Sequence, residues 1–145
     1  MQSVSYATLD MLVDRFGAAL LERLTDRADP PAGVIDSAVV DRALADTRAM
    51  IDGYLAGRYR LPLAEIPPQI PPIALAIAIY KLHVYSPEEK ITRDFEAALK
   101  SLREIAAGTI VLTAETLAPT PTGGTGARIT DRDRPLSEDN LKGWI

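Results

Sequence analysis

Apolar residues recur at helical spacing in the first half of the chain. From Asp36 onward they fall at i, i+3, i+4 and i+7, with Asp36 or Ser37 as the N-cap of a long helix. Two shorter runs come before it: Thr8 can cap a helix that Gly17 interrupts, and a second apolar run ends near Thr25. The pattern therefore predicts two short helices followed by a long one.

The second half of the chain predicts two more helices. In residues 73–82 large apolar residues alternate with alanine, as in a strand, but alanine favours helices and the last prolines of a rigid spacer at 67–72 suit a first helical turn. We interpret this run as a central helix that is apolar on all sides. Residues 86–89 have the signature of a capping box, which predicts the start of a fifth helix. Gly108 ends the apolar stripe of that helix, and residues 109–112, which follow it, are β-prone.

These elements predict an all-α fold, a small helical bundle of about four to five helices with an extended C-terminal arm. After Leu117 the composition changes to proline, threonine and glycine, which cannot bury enough apolar surface to become ordered. We therefore divide the chain into a helical domain, residues 1–117, and a flexible linker with a C-terminal docking segment, residues 118–145.

The docking segment restores apolar residues beyond the linker, among them the sole tryptophan of the chain. Its candidate contact residues are Arg134, Leu136, Leu141 and Trp144. A bulky anchor on a tether more often docks on another chain than on its own domain. We expect docking on a neighbouring subunit or partner, with folding back onto the same domain as the alternative.

The composition removes most catalytic chemistry. The chain has no cysteine and one histidine, His83, which excludes disulfides, thiolate zinc sites and sites built from several histidines. The glycines of residues 123–126 lack the lysine of a phosphate loop, and the serines lack the context of a nucleophile elbow. We expect no enzyme, no catalytic or metal-binding residue and no cofactor, and we interpret His83 as a structural residue at a helix C-terminus.

The charge and the hydropathy pattern limit the partners. A net charge of −4 and a pI of about 5.0 argue against non-specific attraction to DNA or anionic membranes, although they allow a local basic patch. The first residues have no secretion signal, and the apolar run at 70–82 is too short to cross a bilayer. We expect a cytoplasmic protein without membrane contact, unless an assembly carries it elsewhere.

Arg58, Tyr59 and Arg60 form the most distinctive short segment. Gly57 stands where the long helix would need a left-handed residue to end, and Pro62 prevents the helix from resuming. Three interpretations are open: cations that complement a helix dipole while their stems cover apolar surface, an interface hot spot, or a phosphate contact with DNA. The helical frame around the segment favours subunit contact.

Several short motifs in the chain match a known family. They are Tyr6-Ala7-Thr8, Arg15-Phe16-Gly17, Leu24-Thr25-Asp26, Ala43-Leu44, Ile51-Asp52-Gly53-Tyr54-Leu55, Arg58-Tyr59-Arg60-Leu61-Pro62-Leu63, Phe95 through Gly108, and Leu141-Lys142-Gly143-Trp144. On these motifs the chain resembles the head-tail joining (neck adaptor or connector) proteins of tailed phages and Mu-like prophages, across about residues 6 to 112 and again at its end.

The resemblance implies an all-helical structural adaptor without catalysis. It implies a ring of twelve copies at the virion neck, between the portal protein and a downstream stopper or tail-completion protein. DNA would pass through the lumen without specific binding, and assembly would take place in the host cytoplasm. The alternative is a soluble helical protein-binding module that contacts nucleic acid weakly through Arg58, Arg60 and Arg128.

Overall fold

The computed structural model describes residues 5–117, and in this range the chain forms α-helices and no strand. The helices are α1 (Leu9–Phe16), α2 (Ala18–Thr25), α3 (Ser37–Leu55), α4 (Ile70–Leu82) and α5 (Glu89–Ala107). The predicted all-α bundle is thereby confirmed for the described residues. The C-terminal arm and the linker and docking segment at 118–145 lie outside them, so the division of the chain at residue 117 stays a prediction.

Helix α4 is the centre of the bundle. Eight of its 13 residues are buried, and it packs most extensively on α5 and α3. On the α5 side, the rings of Tyr80 and Phe95 stack with their centroids 3.9 Å apart. The alternation of alanine with large residues is therefore that of a helix enclosed on most sides. At 13 residues, α4 is short of a bilayer-spanning length, and no other helix among the described residues is both long and apolar enough to span one.

The start of α4 confirms one prediction and corrects another. Pro71 and Pro72 lie in the first helical turn, as predicted, but the helix begins at Ile70, so the irregular spacer ends at Gln69. Prolines are tolerated there because the first N–H groups of a helix have no partner within the helix.

Helix α4 runs opposite to α3 and α5, which gives the bundle two ends. Arg58, just past α3, contacts Ala106 near the end of α5, so these two helices run in the same direction. We call the end formed by residues 26–36 and 83–88 the Tyr85 end, and the end formed by residues 56–69 and 108–117 the Tyr59 end. Helices α3 and α5 each have 19 residues, so the ends are about 28 Å apart.

The caps of the first helices form as predicted. The Thr8 hydroxyl accepts a hydrogen bond from the Met11 N–H at 3.2 Å, and the Asp36 carboxylate accepts one from the Ala38 N–H at 3.0 Å. Gly17 has φ of 89° between α1 and α2, a backbone conformation that other residues rarely adopt.

The end of α3 corrects the prediction for Gly57. Ala56 follows the helix in a right-handed conformation, and Gly57 is not among the glycines with positive φ. The N–H groups of Arg58 and Tyr59 both donate to the Leu55 carbonyl, at 3.0 and 2.9 Å. The chain therefore leaves α3 through a tight right-handed turn, which requires no left-handed residue.

Two predictions about α5 are also wrong. The helix begins at Glu89 with Glu88 as its N-cap and without a side-chain capping bond, so Ser86 does not form the predicted capping box. The Glu89 carboxylate pairs with Arg93 one turn further on, instead of turning back toward the cap. The exit at 109–112 is irregular, although Gly108 ends the helix in the predicted left-handed conformation.

We predict that Ile77→Ala lowers the free energy of unfolding by about 2–5 kcal/mol, because Ile77 is fully buried in α4 and its loss leaves a cavity. Urea denaturation measures the change. The control is Val111→Ala, at a side chain 70% exposed, which should stay within about 0.5 kcal/mol of the parent chain. Equal effects of the two substitutions would contradict the central place of α4.

Candidate functional site

Tyr59, the middle residue of the predicted contact segment, is a core residue. Its side chain is 1% exposed, and its hydroxyl oxygen accepts a hydrogen bond from the Leu112 N–H at 2.9 Å. This bond joins the turn after α3 to the chain that follows α5. The structure thus corrects the prediction of an interface role for Tyr59, because the buried phenol offers no surface to a partner.

The residues beside Tyr59 pair with the last described residues of the chain. The Arg60 N–H donates to the Glu115 carbonyl, and the Leu117 N–H donates to the Arg58 carbonyl, both at 2.9 Å. Between these bonds lies an antiparallel β-bridge. We call this arrangement the 58–60/115–117 pairing. The pairing holds the backbone of residues 115–117 against the turn that follows α3.

Arg58 caps a helix, but not the one expected from the sequence. Its Nε donates to the Ala106 carbonyl at 3.4 Å, and its guanidinium lies against Gly108 at the end of α5. The cation therefore complements the dipole of α5 and not that of α3. Gly108 has φ of 85°, a conformation that favours glycine; a Cβ there would also displace the Arg58 guanidinium, whose Cζ would lie 2.7 Å away.

The Arg60 side chain is exposed at the surface of the bundle. Its guanidinium is 3.6 Å from the Glu115 carboxylate, and both side chains are more than 60% exposed. Such a surface pair contributes little to stability. The roles of Arg58 and Arg60 as contact residues stay predictions, as do those of Arg134, Leu136, Leu141 and Trp144, which lie outside the described residues.

A second tyrosine joins the N-terminal segment to α3. Tyr6 is 4% exposed, and its hydroxyl donates a hydrogen bond to the Asp52 carboxylate, which also lies 3.6 Å from the Arg48 Nε. Burial, and then the bond to Asp52, raise the pKa of the Tyr6 hydroxyl above its ordinary value. The phenol stays protonated and the carboxylate stays paired, so this cluster acts as a structural tie.

The described residues bring together no group of side chains that could bind a metal ion. Between residues 5 and 117 no three histidine, cysteine or acidic side chains come together in a way that could hold a metal ion. The Nδ1 of His83 hydrogen-bonds the Ile79 carbonyl at 2.7 Å, at the C-terminal end of α4. This is the structural role predicted for the histidine.

The large apolar residues that the described part of the chain exposes lie at the two ends of the bundle. They are Val34, Val84 and Tyr85 at one end, and Val111 and Leu117 at the other. Tyr85 is the most open, with 87% of its surface exposed. The helical pattern of the sequence did not predict this distribution. The signal was an apolar pair, Val84 and Tyr85, in a link between helices, where polar residues are expected.

At the Tyr85 end, the loop after α2 is held in shape by hydrogen bonds to one carboxylate. The Asp26 carboxylate accepts hydrogen bonds from the N–H groups of Gly33 and Ala32 at 2.7 and 3.1 Å, and these bonds lower its pKa. A hollow of about 350 Å³ separates this loop from the link that carries Tyr85, with Arg23 and Arg27 on its wall. Exposed tyrosine beside arginine is typical of residues that dominate contact energy.

The side of the bundle carries an apolar groove between the α1–α2 pair and α5, with α4 as its floor. Its volume is about 610 Å³. The residues that line it are Arg15, Phe16, Leu20, Pro72, Ile73, Ala76, Ile79, Glu88, Lys90, Ile91, Asp94, Ala97, Ala98 and Ser101. We call it the α4 groove. It is apolar along its floor and charged at its rim.

Comparison with known proteins relates the whole chain to phage proteins. The family model described as Bacteriophage Mu, Gp36 matches residues 6–131. The chain is 31% identical over 142 residues to "Gene product J" of Escherichia phage Mu. The aligned residues cover 98% of this chain and 100% of that protein. It is 30% identical over 142 residues to "Mu-like prophage FluMu protein gp36" of Haemophilus influenzae, with coverages of 98% and 99%.

We predict that Tyr59→Phe lowers the free energy of unfolding by about 1–3 kcal/mol, because it leaves the buried Leu112 N–H without an acceptor. Chemical denaturation measures the loss. The matched control is Tyr85→Phe, which removes the same hydroxyl from an exposed ring and should change stability by less than about 0.5 kcal/mol. A neutral Tyr59→Phe would show that the hydroxyl is not needed.

The raised pKa of Tyr6 predicts a loss of stability at alkaline pH. The unfolded chain releases the phenolic proton near pH 10.0, whereas the folded chain retains it, so the stability that Tyr6 contributes is present below that pH and falls above it. The slope approaches about 1.4 kcal/mol per pH unit for one proton. Tyr6→Phe should be less stable at pH 7 and should lack this part of the decline, as measured by denaturation between pH 7 and 11. Parallel curves would contradict the assignment.

Proposed function

The chain belongs to the Bacteriophage Mu Gp36 family, and on that basis we propose that it is a structural protein of the phage particle that joins head to tail. In this proposal, copies of the chain form a ring of twelve at the virion neck, beneath the portal protein. A downstream stopper or tail-completion protein binds the opposite face. DNA passes through the lumen without specific binding, and the chain performs no catalysis.

The observation that carries this proposal is the location of the exposed apolar residues. Val84 and Tyr85 lie at one end of the bundle, and Val111 and Leu117 lie at the other, about 28 Å away along α3 and α5. Apolar side chains that are exposed side by side, as those of the sequence neighbours Val84 and Tyr85 are, suit a contact surface, whereas single exposed ones are common on any protein. Two such ends on opposite sides suit a subunit that is held between two different partners, as an adaptor is.

The internal chemistry supports a scaffold. The two buried tyrosine hydroxyls each tie chain segments that are far apart in sequence, Tyr6 to Asp52 and Tyr59 to Leu112. The titratable side chains for which the structure shows hydrogen bonds or ion pairs take part in surface pairs, caps, loop contacts or ties of this kind. The arrangement favours a rigid building block over a site that moves protons.

The nucleic-acid alternative loses support from the positions of the arginines. Arg58 contacts the end of α5 and Arg60 pairs with Glu115, so neither guanidinium is free of a protein partner. With a net charge of −4, phosphate binding would need a larger cluster of cations than these two provide. Charge reversal at Arg58 should therefore leave DNA retention unchanged at every salt concentration.

The experiment that tests the proposal is removal of the gene from a phage of this family, followed by electron microscopy of the particles. We expect separate filled heads and separate tails, and restoration of joined particles, with the chain at the neck, when the full-length gene is returned. A chain lacking residues 118–145 should keep its helical circular dichroism but fail to bind purified portal.

Two outcomes would count against this function. Joined, infectious particles in the absence of the gene would exclude a joining role. A chain found elsewhere in the particle, or absent from it, would exclude the neck position. Portal binding by the shortened chain would contradict only the docking segment at 118–145 and would assign the contact to residues 1–117, where the exposed apolar ends lie.

A further inference from the structure

We propose that in the free protein the α4 groove is occupied by the C-terminal segment of the same chain, with Trp144 as the anchor. This inference does not depend on the role of the protein in head-tail joining. It concerns where the tail lies before any partner is present, and it assigns an occupant to a surface that the helices leave open.

The groove exists because α4 is apolar on all sides but is not covered on all sides. Helices α3 and α5 cover most of it, and the α1–α2 pair covers a further part. Between α1–α2 and α5 a strip of α4 remains, with Ala76 half-buried and Ile73 and Ile79 beneath it. A strip of this kind gains free energy when another apolar group covers it.

The walls leave room for large side chains. On α5 the wall includes the small residues Ala97, Ala98 and Ser101, next to the larger Lys90, Ile91 and Asp94. On the opposite side half-buried Phe16 and Leu20 face the opening. A volume of about 610 Å³ falls within the range of natural ligand pockets. The groove therefore accepts bulky apolar anchors, and small side chains would leave it partly empty.

The C-terminal segment supplies anchors of that kind. It contains Leu136, Leu141, Trp144 and Ile145, which follow a stretch of proline, threonine and glycine. Indole and leucine side chains left in water cost free energy that burial recovers. The segment carries both signs, with Glu138 and Asp139 between Arg134 and Lys142, and so does the rim, with Arg15 and Lys90 beside Glu88 and Asp94, so opposite charges can pair at the mouth without deciding the direction of the segment.

The length of the segment permits this seat. Trp144 lies about 27 residues beyond Leu117, and a flexible coil of that length has a root-mean-square reach of roughly 29 Å. This equals the length of α5, so the anchor reaches any part of the groove from the 58–60/115–117 pairing.

The tether favours the same chain over a second copy. It places the anchor at an effective concentration of about 1 mM, so an intrinsic dissociation constant near that value already half-fills the groove. A second copy at micromolar concentration cannot compete with a tethered segment. When the segment docks on another protein during assembly, it must first leave this groove.

The test uses the fluorescence of Trp144, which is the sole tryptophan, in the full-length chain. We expect blue-shifted emission and low acrylamide quenching, both independent of protein concentration. Ala97→Glu introduces a carboxylate at an exposed position of the groove wall and should weaken docking about tenfold or more, with red-shifted emission and higher quenching. The matched control is Ala49→Glu on the exposed face of α3, outside the groove, which should leave Trp144 shielded.

A second variant makes the test independent of the folded helices. Leu141→Ser changes only the tail, and it should raise quenching as Ala97→Glu does, with unchanged circular dichroism. Water-exposed Trp144 in the parent chain would overturn the proposal. So would shielding that Ala97→Glu does not reduce, which would place the tail elsewhere, and shielding that appears only as concentration rises, which would assign the groove to a second copy.

Discussion

The burial of α4 is the constraint on which the rest of the structure depends. Helix α4 has 13 residues and is apolar around its circumference, so a single neighbouring helix cannot bury its whole apolar surface. Other elements must therefore pack on several of its sides. Helices α3 and α5 do so along their amphipathic faces, and the α1–α2 pair adds a third cover. The α4 groove follows from the same constraint, because α3, α5 and the α1–α2 pair together leave one strip of α4 uncovered.

Two buried tyrosines bind the ends of the chain to this core. Tyr6 ties the segment before α1 to the last turn of α3, and Tyr59 ties the turn after α3 to the chain that leaves α5. Each combines a large apolar ring with one hydroxyl that finds a buried or half-buried partner. Both belong to short motifs on which the relation to phage proteins could be seen in the sequence, so those motifs mark the architecture and not a reaction centre.

Periodicity and composition predicted the helices. The apolar stripes of α3 and α5 have helical spacing, and the alanines of α4 favour a helix over a strand. They failed on local details at two helix ends. After α3, the N–H groups of Arg58 and Tyr59 continue a right-handed turn onto Leu55, and before α5, Glu89 pairs with Arg93 instead of completing a capping box with Ser86. The burial of Tyr59 and the groove depend on elements far apart in the chain, and residue type alone carries no information about them.

The 58–60/115–117 pairing has a mechanical consequence. Any force applied to the chain beyond Leu117 meets the backbone hydrogen bond from Leu117 to Arg58 before it reaches α5. Arg58 lies only a turn away from the end of α3, and its side chain holds the end of α5. A pull on the C-terminal segment is therefore distributed over two long helices at once, and the bundle is loaded along its axis instead of being peeled apart helix by helix.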